Sequence, residues 1–383
     1  MTDNQTMTSK PYTNSQASAV TANNSAPDDK RHQQLISWLQ QVFETDNLKL
    51  DSLAGDASSR RYHRLQLASQ ADKHKTESYM VMDSADEQQA MQQFINVTAL
   101  MAPAINVPTI IAQELEQGFL VLQDFGSVEF AHLLVEATAA QVDEYYQLAM
   151  NTLIAMQQVA VKTARAEHQL AYYDAELLSR EMELFSDWFI PHIGVPLDES
   201  LWDNLKAALN TEILRQPQVI VHRDYHSRNL MQDRADHSQL GVIDFQDAVI
   251  GAYSYDLVSL VRDAYVDWSE LQVSSWVNDF WHLQQQAGLT TADSAKQFEN
   301  DVNVMGVQRH LKVLGIFIRL FERDGKNRYL FNIPKVMNDL LFELDWLAAH
   351  GSERMQFAVK PFNEWMIETV LPAYQANFVQ QYI

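Results

Sequence analysis

The chain contains no cysteine, which excludes disulfides, thiolate metal sites and cysteine nucleophiles. It also lacks any apolar run near the ~20 residues that a membrane-spanning helix needs. Its first 28 residues have no apolar stretch of the secretory type. No membrane partner is expected, and cytoplasmic residence follows. Basic residues are scarce: 28 stand against 50 acidic ones, for a formal net charge of -22. That balance argues against nucleic acid as a partner, and it suits either a cationic ligand or simple solubility. No internal repeat is evident.

What is present is the composition of a folded protein: 383 residues, 46% hydrophobic and 10% aromatic, enough for more than one domain-sized unit. Residues 1–30 are rich in Ser, Thr, Asn and Gln and read as a disordered tail. The spacing of apolar residues predicts helices over 32–43 and 88–102 and strands within 53–67, 79–83 and 119–125. Beyond Glu129 the pattern turns helical, over 139–160, 174–191, 199–215 and long stretches after 255. One strand-rich interval interrupts it, at 219–231 and 240–248. An α+β fold of two lobes is expected: a small sheet-rich lobe over 31–126 that binds nucleotide, and a larger, mainly helical lobe over 127–383 that carries catalysis and the acceptor.

The interval 219–248 carries the chemistry. The apolar strand Val219-Ile220-Val221 delivers His222-Arg223-Asp224, and Asn229 follows five residues after Asp224. A polar turn then leads to a second apolar strand, Leu240 to Ile243, which delivers Asp244-Phe245. Two adjacent strand ends would hold Asp224, Asn229 and Asp244 together. Phosphoryl transfer relies on positioning and electrostatics, with one carboxylate on the acceptor hydroxyl and hard oxygen donors for Mg²⁺. H-x-D-x-x-x-x-N followed by apolar-apolar-D-F is the catalytic-loop and metal-loop pattern of kinases, with ATP and Mg²⁺ as implied cofactors.

HRDYHSRN and IDFQDA resemble the aminoglycoside phosphotransferase and choline kinase superfamily more than protein kinases. His226 stands where protein kinases carry lysine, and the likeness spans about 33–380. The resemblance implies Asp224 as catalytic base, Asn229 and Asp244 as Mg²⁺ ligands, and His222 as support for the loop. Tyr255-Asp256-Leu257 matches the superfamily's helix-start motif, where Asp256 is expected to cap the helix and brace the loop.

For the nucleotide, the loop containing Gly55, Ser58, Ser59, Arg60 and Arg61 sits between a helix and a strand, where a phosphate-covering loop belongs. Gln123, Asp124 and Phe125 are the expected backbone hinge beside adenine. The strand 79–83 lacks the lysine that kinases use, so either Arg60 or Arg61 supplies that charge from the loop or ATP is held without it.

Three stretches, GDASSRRYHRL, HRDYHSRNLMQ with GVIDFQDAVIGAYSYDLVSLVRDAY, and MGVQRHLKVLGIFIRLFERDGK, look like the bacterial anomeric sugar kinases. That resemblance implies phosphorylation of N-acetylmuramate and N-acetylglucosamine at the C1 hydroxyl in peptidoglycan recycling, with a uridylyltransferase as functional partner. A carboxylated sugar calls for a cation, and Arg262, Arg309 and Arg319 lie in apolar helical contexts. Asp174, Glu181 and Trp188 fall in the segment that borders the acceptor cleft in the superfamily. Two other readings stay open: an aminoglycoside, choline or other amino alcohol as acceptor, and an ATP-binding pseudokinase. Oligomeric state is not legible.

Overall fold

The computed structural model describes residues 29–53, 60–68, 76–84 and 88–383. The expected tail, through residue 28, and the loop residues Gly55, Ser58 and Ser59 lie outside the described residues. Two compact units emerge. The first comprises residues through Gln88 together with Ile110–Asp124 and His132–Ala137; the second holds Gln89–Thr109, Phe125–Ala131 and Thr138–Ile383.

The first unit begins with α1 (Asp29–Phe43), followed by β1 (Leu48–Ser52), β2 (Arg61–Ala68) and β3 (Thr76–Asp83). Helix α2 (Gln88–Met101) comes next in the chain but groups, from Gln89 onward, with the second unit. Strands β4 (Ile110–Glu114) and β5 (Phe119–Gln123) complete an antiparallel sheet in the order β1-β2-β3-β5-β4. Alternation along β2 turns His63, Leu65 and Leu67 inward. Leu65 and Leu67 join Leu35, Trp38 and Leu39 of α1 and Val81, Phe119 and Val121 in one apolar core. The sequence expectation of a sheet-rich unit with a helical partner holds, and β1 and β4 are additions to it.

The second unit is mainly helical, with α3 (Phe130–Leu134), α4 (Ala139–Gln157), α5 (Val161–Glu167) and α6 (Ala175–Leu184). The predicted helix over 174–191 is present as one continuous helical run, with a π-turn inside it. After α6 the chain makes one π-turn, Phe185–Phe189, before α7 (Ile190–Ile193), where Pro191 has no N–H to donate. Helix α8 (Glu199–Ile213) leads to β6 (Gln218–Val221), β7 (Leu230–Gln232), β8 (Leu240–Val242) and β9 (Val249–Ala252). Helices α9 (Tyr255–Val261), α10 (Glu270–Gln286), α11 (Ala295–Asp324), α12 (Ile333–His350) and α13 (Glu353–Trp365) follow.

Where adjacent strands were expected over 219–243, the structure has two separate ribbons. β6 pairs with β9 and β7 with β8, both antiparallel, so β6 and β8 are not ladder neighbours. Other bonds must bring their ends together.

Two features of the long helix α11 set its surroundings. Gly315 lets α6 approach: a Cβ there would lie 2.1 Å from the Leu184 carbonyl oxygen. Gly306 similarly makes room for the buried carboxylate of Glu343 on α12. Glu343 accepts from or donates to His310 Nδ1 at 2.7 Å and lies 3.3 Å from Arg262 Nε. Arg262 also contacts Glu270 and Asp339, and Lys335 closes the group on Asp339 at 2.5 Å. Burial pushes the Glu343 carboxyl well above its usual range and holds His310 down at about 3, so that imidazole is neutral.

Gly315→Ala is expected to lower stability by about 1–3 kcal/mol, because a backbone carbonyl cannot yield as a side chain would. Urea unfolding checks it; a variant as stable as the parent would show that α6 and α11 separate freely.

Candidate active site

The end of β6 is built for a strained turn. Val219, Ile220 and Val221 are buried, and His222 behind them is fully enclosed. Arg223 then adopts φ +77°, a left-handed conformation that a side chain enters only under constraint. The constraint is Asp256. Its carboxylate accepts the backbone N–H of His222 at 2.6 Å and of Arg223 at 3.0 Å. Burial raises the Asp256 carboxyl to about 6, against the pull of His222 and the two backbone N–H groups. Bracing of the loop by Asp256 is thus observed, but capping is not: Ser254 holds the N-cap position of α9, without a side-chain bond.

His222 then joins the two ribbons. Its Nδ1 accepts the Asp224 N–H at 3.2 Å, which assigns the proton to Nε2. Nε2 donates to the Ile243 carbonyl at 2.9 Å. The Ile243 N–H donates to the Asn229 carbonyl at 3.0 Å, which extends the β7–β8 ladder by one rung. Asn229 Nδ2 in turn donates to the Asp224 carbonyl at 3.0 Å. These bonds bring Asp224, Asn229 and Asp244 together although β6 and β8 do not pair.

Asp244 also has positive φ, +64°, at the second strand end. Its exposed carboxylate accepts from Gln246 Nε2 at 2.9 Å, while Phe245 behind it is buried and stacks on Phe94. The donor set fits a magnesium ion. Asn229 has spent Nδ2 on a carbonyl, which leaves Oδ1 for a cation, and Asp244 offers a solvent-facing carboxylate. No group of three or more His or acidic ligands occurs among the described residues. Mg²⁺ does not need one, since substrate phosphates and water complete its shell.

Helix α11 supplies two cations: Arg309, which the sequence singled out for the acceptor, and Lys312, which it did not. Lys312 is buried, with Nζ 3.0 Å from Glu181 Oε2 and 3.1 Å from the Tyr255 hydroxyl. Arg309 donates to the Arg223 carbonyl at 2.8 Å and to the Tyr255 hydroxyl at 3.2 Å. Burial opposes the charge on Asp224, yet Lys312 and then Arg309 outweigh it and bring that carboxyl down to about 2. Asp224 is therefore a carboxylate at any physiological pH.

The other residues singled out by sequence fall in varied places. Glu181 is an internal counter-ion, bonded to Arg223, Lys312 and Tyr173, and the two cations hold its carboxyl low against burial. Asp174 is the N-cap of α6, accepting the Leu177 N–H at 2.9 Å. Trp188 is half-buried in the π-turn. Arg262 is committed to Glu270, Glu343 and Asp339, and Arg309 to the catalytic-loop backbone, so neither is left for an acceptor carboxylate. Arg319 is half-buried on α11. In the first unit, Arg61 opens β2 and is exposed, and Arg60 precedes it, half-buried. β3 carries no lysine, and the neighbouring Arg64 of β2 grips Asp124 at 3.0 Å. Gln123 ends β5. In the second unit, the Phe125 ring lies over Gly241, where a Cβ would come within 2.3 Å of it.

Asp256→Asn replaces one acceptor oxygen with a donor that faces a backbone N–H. It is expected to cost about 1–3 kcal/mol of stability in urea unfolding. Hydrogen exchange should quicken at the amides of His222 and Arg223, and unchanged exchange there would remove Asp256 as the clamp.

Comparison with known proteins places this geometry. Residues 49–293 match the phosphotransferase enzyme family. An N-acetylmuramate/N-acetylglucosamine kinase of Pseudomonas aeruginosa is 39% identical over 323 residues, covering 80% of this chain and 90% of that protein. Kinases of the same name from Pseudomonas putida and Neisseria meningitidis are 37% and 36% identical, each covered to 90%. Among solved structures, an ADP-bound aminoglycoside phosphotransferase aligns with a TM-score of 0.53 at 11% identity, over 82% of this chain and 98% of that one. A Plasmodium vivax ethanolamine kinase aligns with a TM-score of 0.56 at 11% identity, over 82% and 90%. These two likenesses establish the kinase-like fold, and the sequence matches establish the family. The chain belongs to the phosphotransferase enzyme family and is a small-molecule kinase.

Proposed function

We propose that this kinase transfers the γ-phosphoryl group of ATP to the anomeric C1 hydroxyl of N-acetylmuramate and N-acetylglucosamine, in cytoplasmic recycling of peptidoglycan. The observation that carries the reading is the similarity to kinases of those sugars along nearly their whole length. The site geometry supports it. Asp224, ionised under Lys312 and Arg309, orients the C1 hydroxyl and receives its proton as the phosphoryl group arrives. Because the transition state is loose, aligning the hydroxyl matters more than basicity, and a carboxylate near 2 is adequate. His222, bonded at both nitrogens, fixes the loop that carries Asp224. Asn229 Oδ1 and the Asp244 carboxylate would hold Mg²⁺, which when bound supplies positive charge to the phosphate oxygens. The product would be a sugar 1-phosphate, the substrate type of a uridylyltransferase. No helix among the described residues is long and apolar enough to cross a membrane.

Purified protein with Mg²⁺-ATP is expected to phosphorylate both sugars at C1, read by phosphorus and proton NMR. Transfer to kanamycin or choline, with neither sugar phosphorylated, would replace this acceptor by a cationic one, to which the net charge of -22 is suited. Asp224→Asn is expected to fall in kcat by about 10²–10⁴-fold with its fold intact by circular dichroism. EDTA should abolish turnover and added Mg²⁺ restore it. A wild-type protein as inert as Asp224→Asn on every acceptor would point to a nucleotide-binding scaffold instead.

A further inference from the structure

Helix α11 presents Arg309, Lys312, Ile316 and Arg319 at spacings of three and four residues, so they share one face. The first two are the cations that act on Asp224. From Val313 onward the strip opens: Val313, Ile316 and Arg319 are half-exposed, whereas Arg309 and Lys312 are buried. On one flank Gly315 lies against the Leu184 backbone. On the other, Phe317 stacks on Tyr329 and lies 6.5 Å from the Tyr265 ring, which in turn meets His226, two residues from Asp224. The strip therefore leads away from Asp224, between a helix edge and an aromatic wall.

Arg319 differs from the neighbouring cations in its pairing. Arg323, one turn further on, is held by Asp324 at 2.8 and 3.0 Å. Lys312 has Glu181, and Arg262 has Glu270, Asp339 and Glu343. Among the described residues Arg319 forms no ion pair, and its buried Nε has no hydrogen-bond partner. Burial, and next the charge of Arg323, lower its pKa, and the attraction of Asp324, which is already paired with Arg323, does not offset them. A partly buried guanidinium with an unmet donor is destabilising until an anion arrives, and its planar fork fits a carboxylate in bidentate fashion. It lies about 10 Å along the helix axis from Lys312, seven residues at the helical rise.

Resting on the acceptor reading above, we propose that Arg319 anchors the acceptor's carboxylate and thereby sets the preference for N-acetylmuramate over N-acetylglucosamine. The two sugars differ in the lactyl ether on C3, two ring bonds from C1, and the carboxylate of that lactyl group carries the charge. With C1 at Asp224, a sugar lying along the strip would extend its lactyl group towards Arg319. Of the three arginines that sequence picks out in this region, Arg262 and Arg309 are already committed to internal partners.

The test compares kcat/KM for the two sugars in the wild type, Arg319→Ala and Arg319→Lys. The ratio for N-acetylmuramate over N-acetylglucosamine should fall about 10- to 100-fold in Arg319→Ala, chiefly through KM for N-acetylmuramate, and less in Arg319→Lys. Added salt should narrow the wild-type ratio and leave that of Arg319→Ala in place. If Arg319→Ala does not fold, Arg319→Gln takes its place in the same ratio. An unchanged ratio, with both sugars still phosphorylated, overturns the role of Arg319 and spares the acceptor reading. A wild type that phosphorylates neither sugar removes the acceptor reading, and this inference with it.

Discussion

The double hydrogen bond from the Asp256 carboxylate to the backbone N–H groups of His222 and Arg223 is the constraint on which the site depends. It holds Arg223 in a left-handed conformation, and that turn sends the next residue, Asp224, out of the strand line. It also presents the His222 imidazole to the Asp224 N–H and the Ile243 carbonyl. Without ladder pairing between β6 and β8, the His222 imidazole on the Ile243 carbonyl and the Asn229 amide on the Asp224 carbonyl do the work of a sheet. The strain is concentrated in two residues, Arg223 and Asp244, and both stand where chain direction must change abruptly.

Around this turn the charges form a ring with few open ends. Glu181 links Arg223 and Lys312, Tyr255 accepts from Lys312 and Arg309, and Arg309 returns to the Arg223 carbonyl. In a chain with so large an acidic excess, these enclosed cations set the local potential more than the distant surface does. That resolves the apparent conflict between a net charge of -22 and an anionic phosphate chemistry. The surface keeps the protein soluble, and the interior chooses the sign at the reacting atoms.

Much of the site was legible because its residues are consecutive or separated by short turns. His222, Asp224 and Asn229 sit on one loop, and Asp244 sits at the next strand end, each announced by an apolar run. The fold class was legible from periodicity, and so were α1, α2 and most long helices. Short strands escaped: β1 and β4 have five residues each and half-buried patterns, and β9 has four residues just past the strand-rich interval that ends at 248. That β6 pairs with β9 was not legible for the same reason, since register depends on partners far along the chain. Lys312 was missed because its partner Glu181 lies 131 positions away, 312 − 181, and no local pattern encodes that ion pair. The same reasoning made Arg262 resemble a ligand-binding cation until its three carboxylates came into view.

The buried group of Arg262, His310, Asp339 and Glu343, with Glu270 and Lys335 at its edge, stands directly behind the catalytic loop, for the residue after Arg262, Asp263, accepts the Ser227 N–H at 2.8 Å. Its consequence is historical as much as physical. An apolar core tolerates drift one methylene at a time, whereas removing one member of this group strands an opposite charge in the interior. Descendants of such a sequence can leave the arrangement only by exchanging partners together, so these positions should change in concert across lineages while the leucines around them vary singly.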